Sequence, residues 1–492
     1  MSASVVPTVV DYVGRGPGGS QLKRAFNSSA STPAVSSSRV SASVLGPPLT
    51  EESEGAGIDL TLAPAPEEDP ELRLPGRASL VVMIATNVLL QFAFFVIVSS
   101  AAEYADFLGA TSVFAGLVIG IPMAFSGMAL VPLTRYDEGR YTRPLIVSFV
   151  SLILGNVLYA LAYRTRFLYL ILIGRMVTGI SFTNFMYLKR YCSDPRLIGI
   201  RRRTTLASWL VLGQAFGFSV GPFIGGALYK IGFSNDVFNG FSSVGWVTAG
   251  FTLVFALWSM WAFEDVPKPV RAPRTTSVEA SPSPADSEEE LGFAQLTTQQ
   301  WGVIASMCWA SMTCFFILGS WEANIPVYTA SASAFHYSPY AAGNFIALGG
   351  LATVPFLLAN VRYAPRFQDR ITLAVGTGIG FAGLLLMQLL LATDRVVFGS
   401  FYLCWVLVAL GFNLGSTCTF SLLSKQFPGS WNRRTSMMIQ YSNYAGRVTG
   451  AVLGGAGVQI GMRNYVAVQM VVVGIGALMH WWFWKGLKAK TG

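Results

Sequence analysis

Twelve apolar runs of about 20 residues constrain this chain more than any other feature. They lie near 79–102, 112–133, 144–163, 167–188, 204–227, 244–263, 301–329, 338–360, 371–391, 396–420, 434–457 and 464–485. Runs of this length match the bilayer core, and lipid offers the backbone no hydrogen-bond partner. The 52% apolar and 12% charged composition agrees with this interpretation. We therefore predict an all-α membrane protein with twelve transmembrane helices.

The basic residues predict the orientation of these helices. Most of the 34 Lys and Arg residues fall in the two tails and in alternate connections. The exceptions are Arg164, Arg166, Lys230, Arg395 and Arg463 in the other connections, with Arg175 and Arg447 inside spans. Basic segments stay cytosolic, so both termini are predicted to be cytosolic and the first span to be an uncleaved signal anchor. The net charge of +9 then reflects topology and anionic lipid, and no nucleic-acid partner is expected.

Two polar stretches divide the chain. Residues 1–78 are rich in Ser, Pro and Gly and are predicted to be a disordered cytosolic tail. Residues 264–300 form the longest connection and have the same character. They separate a six-helix half at 79–263 from a second at 301–485, which a short cytosolic tail at 486–492 follows.

The two halves carry the same pattern of small residues. Small residues recur every fourth position in the fifth and eleventh spans, with a constant offset between Gly213, Gly217, Gly221 and Gly225 and Ser442, Gly446, Gly450 and Gly454. Such spacing lets two helices approach closely. Two six-helix repeats with a central cytosolic loop resemble the major facilitator superfamily, whose substrate sites lie between the halves near the midplane.

Several motifs support this resemblance. The stretch "GQAFGFSVGPFIGG" resembles the superfamily's fifth-helix motif, which is associated with exchangers and exporters, through Gly217, Gly221, Pro222, Gly225 and Gly226. The stretch "RMVTG" at 175–179 resembles a fourth-helix motif whose arginine is implicated in proton coupling. The loop "RYDEGRYTRP" keeps only part of the usual signature after the second helix.

A narrower resemblance covers roughly residues 94–230. The stretches "FFVIVSSAAEYADFLGAT" and "GRMVTGISFTNFMYLKRYCSD" resemble the membrane part of SPX-MFS vacuolar phosphate transporters and of the lysosomal ceroid-lipofuscinosis branch. This resemblance implies a vacuolar or lysosomal membrane, with the plasma membrane as the alternative. A Ser-rich tail of 78 residues cannot form an SPX domain, so inositol-phosphate control is not expected and phosphate as the substrate is in doubt.

The fourth span carries a permanent charge roughly 10 Å inside the apolar layer. Stepping 100° per residue predicts one face that holds Arg175, Gly179, Phe182, Met186, Lys189 and Arg190. Such a positive stripe would suit an anion pathway. The alternative is that Arg175 pairs with an acidic residue and that Lys189 and Arg190 only mark the cytosolic side.

A second buried arginine, Arg447, lies near the middle of the eleventh span. One arginine from each half would form a clamp on a phosphate or carboxylate, because guanidinium binds such oxyanions with two parallel hydrogen bonds. The alternative is that Arg447 forms an ion pair between helices.

A few other polar side chains are candidates for the site. Glu322 in the seventh span would partner an arginine, carry a coupling proton or be a solvated residue of an external vestibule. Glu103 and Asp106, at the outer end of the first span, are further candidates for the coupling proton, with a solvated surface position as the alternative. Three amides within spans, Gln214, Asn344 and Asn413, would contact substrate or form interhelical hydrogen bonds.

These features predict a secondary active transporter rather than an enzyme. The chain has no nucleotide-binding or nucleophile motif, and its five cysteines have no metal-ligand spacing, so neither a cofactor nor a metal is expected. We expect a monomer that moves a small solute, favouring an organic or inorganic anion, by alternating access. The exporter-type fifth-helix motif favours proton-coupled efflux or uptake into an acidic organelle. The alternatives are a multidrug or metabolite exporter at the plasma membrane, an anion channel on a transporter fold, and a receptor or scaffold.

Overall fold

The computed structural model describes residues 74–194, 196–198, 200–265, 296–363, 367–424, 426–427 and 431–488. All regular secondary structure in this part of the chain is α-helical or 3₁₀-helical. Most of the predicted tail at 1–78, the centre of the linker at 264–300 and the last four residues of the tail at 486–492 lie outside the described residues.

The helices of the first half follow the predicted spans. They are α1 (Arg77–Phe95), α2 (Ala101–Phe107), α3 (Ser112–Tyr136), α4 (Thr142–Thr165), α5 (Leu168–Ser181), α6 (Asn184–Ser193), α7 (Ile200–Ile231) and α8 (Ser243–Ala262). The predicted first span corresponds to α1 and α2, and the predicted fourth span to α5 and α6.

The second half contributes one helix for each predicted span. They are α9 (Thr298–Ser331), α10 (Pro339–Tyr363), α11 (Asp369–Ala392), α12 (Phe398–Ser424), α13 (Asn432–Ala456) and α14 (Met462–Trp482). Within the described residues, 10 segments are long and apolar enough to cross a membrane. The helices α7 and α13 have 32 and 25 residues but are not among them.

The fourth span is not the continuous helix that the sequence predicts. At its interruption, the N–H groups of Phe182 and Thr183 donate to Gly179 and Ile180, three residues back, at 3.1 and 3.3 Å. These tighter turns end α5 before α6 begins and change the rotation per residue. The stripe from Arg175 to Lys189 and Arg190 is therefore interrupted, because a helix with one constant rotation does not connect them.

Glycines set the distance between neighbouring helices. On α7, a Cβ atom at Gly221 would lie 2.7 Å from Cβ of Phe95 on α1. On α13, a Cβ atom at Gly450 would lie 2.9 Å from Cα of Phe316 on α9. The fifth helix of one half and its counterpart in the other thus pack over glycine against corresponding neighbours.

The two halves meet along two further glycine contacts. A Cβ atom at Gly120 of α3 would lie 3.1 Å from Cα of Val448 on α13. A Cβ atom at Gly226 of α7 would lie 2.9 Å from Cα of Tyr340 on α10. Both contacts lie toward the end of the bundle that the predicted topology places outside, so the halves are in backbone contact there.

The helix pair α4 and α5 provides a test of this packing. A Cβ atom at Gly174 would lie 2.7 Å from the carbonyl oxygen of Gly155 and 2.8 Å from the backbone nitrogen of Tyr159. We expect Gly174→Ala to lower the free energy of unfolding by about 1–3 kcal/mol, because backbone atoms must move apart. Thermal unfolding in detergent measures the change.

Gly378 on α11 is the matched control, since nothing lies within 4 Å of an added Cβ atom there. Gly378→Ala should be neutral or slightly stabilising, because alanine has the higher helix propensity. Equal losses at the two positions would contradict this account of the packing.

Candidate substrate and coupling site

A buried ion pair joins α9 and α13 near the centre of the second half. Arg447 Nη1 donates to Glu322 Oε1 at 3.2 Å, and Arg447 Nη2 lies 3.1 Å from Glu322 Oε2. The exposed fractions of the two side chains are 8% and 1%. The guanidinium group is thus joined to the carboxylate by one hydrogen bond and a second close contact, and within the described residues Glu322 Oε2 accepts no hydrogen bond. Of the two alternatives left open for Arg447, the structure shows the ion pair between helices.

Phenylalanine rings surround the same guanidinium group. The Cζ atom of Arg447 lies 4.8 Å from the ring centroid of Phe94 and 5.1 Å from that of Phe95, both on α1 in the first half. Phe315 on α9 contributes a third ring at 5.8 Å. All three distances lie within the range of cation–π attraction. Arg447 therefore forms contacts with both halves of the molecule.

Arg175 on α5 is the second buried arginine. Its side chain is 1% exposed, and its Nε donates to the carbonyl oxygen of Val118 on α3 at 3.2 Å. Within the described residues, its Nη1 and Nη2 atoms have no hydrogen-bond partner. The hydroxyl group of Tyr159 interacts electrostatically with this guanidinium and also has no hydrogen-bond partner there. Arg175 thus has two buried Nη donors for which the described residues provide no acceptor.

The two arginines therefore have different surroundings. The Nη atoms of Arg447 are engaged by Glu322, whereas those of Arg175 have no hydrogen-bond partner in the described part of the chain. The described contacts do not show the joint clamp that the sequence predicts, because the fork of Arg447 is already occupied by a carboxylate of the protein.

The remaining basic candidates lie toward the predicted cytosolic end. Lys189 Nζ donates to Gln440 Oε1 on α13 at 3.2 Å, which links the two halves. Arg190 instead forms an ion pair with Asp137, in the loop after α3, at 2.9 Å. Four residues further on, burial raises the pKa of Asp194, but the hydrogen bonds from Arg196 and Tyr141 and the charge of Arg196 together outweigh burial, so the pKa lies below its ordinary value. Arg190 thus belongs to a charged network at this end of the first half.

The other acidic candidates lie apart from the Glu322–Arg447 pair. Glu103 on α2 accepts a hydrogen bond from the hydroxyl group of Tyr229 on α7 and is half-buried. Asp106 is exposed on the same short helix. Glu103 therefore has a hydrogen-bond partner within the first half, Tyr229, whereas Glu322 forms a buried ion pair with Arg447.

The amide candidates differ in how their polar atoms are satisfied. Asn413 Nδ2 donates to the carbonyl oxygen of Ala409 on its own helix at 2.8 Å. The Oδ1 atom of Asn344 on α10 is buried with no hydrogen-bond partner among the described residues. Gln214 is half-buried on α7. Asn344 is therefore the amide with an unused buried acceptor.

An apolar cavity of about 500 Å³, broadly open to the protein surface, lies between α3 and α13. Its walls include Met123, Met128 and Val448, with Tyr441 and Tyr444 on one side. The hydroxyl group of Tyr444 accepts a hydrogen bond from Ser126 at 2.8 Å across the two halves. The cavity therefore lies at the contact between the halves.

No motif in the sequence marks Phe94, Phe95 and Phe315 as neighbours of Arg447. Aromatic residues make up 13% of the chain, and most such residues in membrane helices face lipid or core. The only available signal was the adjacent pair in "FFVIVSS", just before the point where α1 ends.

The buried pair predicts a characteristic stability pattern. Arg447→Met leaves the Glu322 carboxylate without its partner, and we expect the free energy of unfolding to fall by about 3–5 kcal/mol near neutral pH. The double variant Glu322→Leu/Arg447→Met removes both charges, so its free energy of unfolding should fall by less than that of Arg447→Met. Thermal unfolding in detergent measures both, with exposed Arg395→Met as a nearly neutral control. A double variant as unstable as Arg447→Met would contradict the pairing.

Solved structures share this architecture at low sequence identity. A POT family transporter in complex with a thioalcohol-conjugated peptide aligns with a TM-score of 0.62 at 12% identity, over 84% of this chain and 99% of that one. A bacterial homologue of the human lysosomal transporter Spinster, inward-facing and unoccupied, aligns with a TM-score of 0.57 at 14% identity, over 82% and 96% of the two chains. These matches show that the fold is shared.

Curated relatives match with higher sequence identity. An uncharacterised MFS-type transporter of Schizosaccharomyces pombe is 29% identical over 435 residues, which span 87% of this chain and 85% of the relative. An SPX domain-containing membrane protein of Oryza sativa subsp. indica is 31% identical over 233 residues, 47% of this chain and 33% of the relative. The resemblance to the membrane part of SPX proteins is thus confirmed.

The family itself follows from a match over most of the chain. A sequence profile of the Major Facilitator Superfamily matches residues 83–451. Together with the helical architecture and the transporter relatives, this match indicates a multi-pass membrane transporter and not an enzyme. The chain belongs to the Major Facilitator Superfamily.

Proposed function

We propose that the protein is a proton-coupled secondary transporter that carries a small anion by alternating access, acting as a monomer. The observation that carries this proposal is the buried Glu322–Arg447 ion pair, whose guanidinium group also contacts Phe94 in the first half of the molecule. A buried ion pair is weak evidence for stability alone, because desolvation offsets much of the attraction. Its retention inside a membrane bundle therefore supports a functional use.

Protonation of Glu322 provides the coupling step. When its carboxylate accepts a proton, the carboxyl group loses its charge and holds the guanidinium of Arg447 less strongly. The fork of Arg447 is then available to an anionic substrate with similar oxygen geometry. Release of the proton restores the internal pair and displaces the anion. Proton and anion thus bind together and leave together.

Arg175 supplies the second positive charge. Its Nη atoms are buried without a hydrogen-bond partner in the described residues, and the hydroxyl group of Tyr159 nearby is also unused. A buried donor without an acceptor is costly, and an anionic oxygen would satisfy both groups. A carboxylate or phosphate-like substrate suits this chemistry better than a neutral or cationic one. Which anion is carried is an outcome of the transport assay.

This scheme favours cotransport of proton and anion over exchange. The resemblance of Gly217, Gly221, Pro222, Gly225 and Gly226 to the exchanger motif implies the opposite sense of coupling. In exchange, proton and substrate would have to bind alternately. In the proposed scheme, Glu322 and the substrate anion compete for Arg447. The anion can therefore bind only when Glu322 carries a proton, so proton and anion bind together and we propose cotransport.

The contact between the halves supports alternating access over a channel. Backbone atoms of Gly120 and Val448, and of Gly226 and Tyr340, approach closely at the predicted external end. A continuous aqueous pore would need these helices to be apart. Separation of the same glycine contacts would open that end in another state of the cycle.

An exporter of apolar organic molecules is the second candidate function. The open cavity of about 500 Å³ between α3 and α13 favours it, because Met, Ala, Gly and Val residues form most of its walls. Such a surface suits a hydrophobic solute. Efflux of lipophilic dyes from cells or vesicles, with no response to anions, would support this candidate over the first.

We also propose a vacuolar or lysosomal location with both termini in the cytosol. The location rests on the resemblance of residues 94–230 to vacuolar SPX-MFS transporters and the lysosomal branch, and the orientation on the distribution of Lys and Arg. A cotransporter in such a membrane would use the acidic lumen to drive the anion toward the cytosol.

Transport by purified protein in proteoliposomes tests the anion site. We expect uptake of at least one member of a panel of small carboxylates and inorganic anions. Arg175→Gln should lower kcat/KM by roughly 10- to 100-fold, as expected for the loss of charge-assisted hydrogen bonds worth about 1.5–3 kcal/mol. Arg175→Lys keeps the positive charge but loses the paired Nη donors of the guanidinium group, so its kcat/KM should lie between those of the wild type and Arg175→Gln.

Arg166→Gln is the matched control, because this arginine is exposed at the end of α4 in the same half. Its uptake should equal that of the wild type. Unchanged anion uptake in Arg175→Gln would reject Arg175 as the substrate contact.

Proton movement tests the role of Glu322. In the wild type, anion uptake should acidify the compartment that the anion enters, and an imposed pH gradient should drive accumulation. Glu322→Gln mimics the protonated carboxyl group, so anion exchange across the membrane should persist while accumulation driven by the pH gradient is lost. An internal pH dye and radiolabelled anion measure both quantities. Alkalinisation on uptake would instead indicate exchange and contradict the proposed scheme.

A further inference from the structure

We propose that Phe94 and Phe95 transmit the state of the Glu322–Arg447 pair from the second half of the molecule to the first. They act as positioning residues, since they contact Arg447 and need not touch the substrate. The proposal rests on the proposed function only for the event that breaks the pair. The contacts themselves are independent of which solute is carried.

The two rings form the link between the pair and the first half. Arg447 Cζ lies 4.8 and 5.1 Å from their ring centroids, and the rings meet edge to face with centroids 4.9 Å apart. Phe94 and Phe95 are 1% and 2% exposed. Because water is excluded, the attraction between a guanidinium group and a ring face is stronger here than at a surface.

The strength of this attraction depends on the charge of Glu322. While its carboxylate is ionised, the field of Arg447 at the rings is partly cancelled by the negative charge beside it. When Glu322 is neutral, the rings face an uncompensated cation and attract it more strongly. A change of charge in the second half thus changes a contact force on α1 in the first half.

Phe94 continues this link to the helix that carries Arg175. Its ring meets the ring of Phe182 edge to face at 5.7 Å, and Phe182 directly follows the last residue of α5. Phe182 in turn stacks on Phe185 of α6 at 5.5 Å. The interruption between α5 and α6 therefore lies against the ring that contacts Arg447.

Phe95 continues the link to α7. Its ring meets that of Phe218 edge to face at 5.0 Å, and Gly221 of α7 packs against its Cβ atom. Phe95 is the last residue of α1, where the regular helix ends before the turn at 96–100. A displacement of the Phe95 ring would thus push against α7. It would also change the backbone direction at the end of α1, where the regular helix stops.

A role in packing alone makes a different prediction. Rings that only fill space could be replaced by methionine, which is apolar, flexible and similar in length. Methionine has no ring face and so cannot reproduce the attraction to a guanidinium group. Replacing Phe with Met therefore separates packing from transmission, and Phe94→Tyr keeps the ring as a conservative variant.

The test measures the distance between the halves when the pair is broken. Spin labels are placed at Thr165 and Ala392, which are exposed at the ends of α4 and α11, after the five native cysteines are replaced by alanine. We expect Glu322→Gln to shift the interlabel distance by several ångströms. Adding Phe94→Met and Phe95→Met should abolish this shift, whereas adding Phe94→Tyr should preserve it.

The matched control is Phe149→Met on α4. Phe149 is 2% exposed and meets Phe255 edge to face at 5.7 Å, without a described ring contact to Arg447. Added to Glu322→Gln, it should leave the shift intact. The inference is wrong if Glu322→Gln causes no shift, or if the double methionine variant responds as fully as Phe149→Met. Thermal unfolding confirms that every variant is folded.

Transport then separates this inference from the proposed function. In the variant Phe94→Met/Phe95→Met with Glu322 intact, accumulation driven by a pH gradient should fall by roughly tenfold, within the usual range of coupling energies, while exchange of anion persists. A wild type that carries anions without protons would contradict the proposed function. The interlabel distances would still decide the inference, because Glu322→Gln breaks the pair without any proton.

Discussion

The site depends on how closely α9 and α13 approach each other over glycine. A Cβ atom at Gly446 would lie 3.0 Å from the backbone nitrogen of Phe316, and one at Gly454 would lie 2.8 Å from Cβ of Ala323. These glycines flank Arg447 along α13, so the helices come near enough for its guanidinium group to form an ion pair with Glu322. Larger side chains there would separate the helices and leave two charges unpaired in an environment with little water.

The two halves share this packing but differ in their charges. In the second half, the positive charge of Arg447 is balanced by the carboxylate of Glu322. In the first half, the Nη atoms of Arg175 have no hydrogen-bond partner in the described residues. The two halves therefore pack their helices alike but surround their buried arginines differently. The proposed cycle uses this difference, because Arg447 can exchange its partner and the Nη atoms of Arg175 have no hydrogen-bond acceptor among the described residues.

The sequence predicted the architecture well because its signals are local and strong. Apolar runs of sufficient length must be helical in lipid, and the glycine spacing of α7 and α13 predicted close packing. The interruption between α5 and α6 was missed, since its tight turns at Phe182 and Thr183 follow from packing rather than composition. The sequence also left the partner of Arg447 open, because 125 residues separate it from Glu322 and only the tertiary fold brings them together.

The surroundings of Arg447 show why charge and shape can be coupled in such a bundle. An ion pair acts over a distance but has little directional effect on neighbouring helices, whereas packed rings transmit a displacement only where they touch. Phe94 contacts both Arg447 and Phe182, so it joins these two effects at one residue. Because Phe182 directly follows the helix that carries Arg175, a change in the charge of Glu322 can alter the position of the other arginine without a direct contact between the two guanidinium groups.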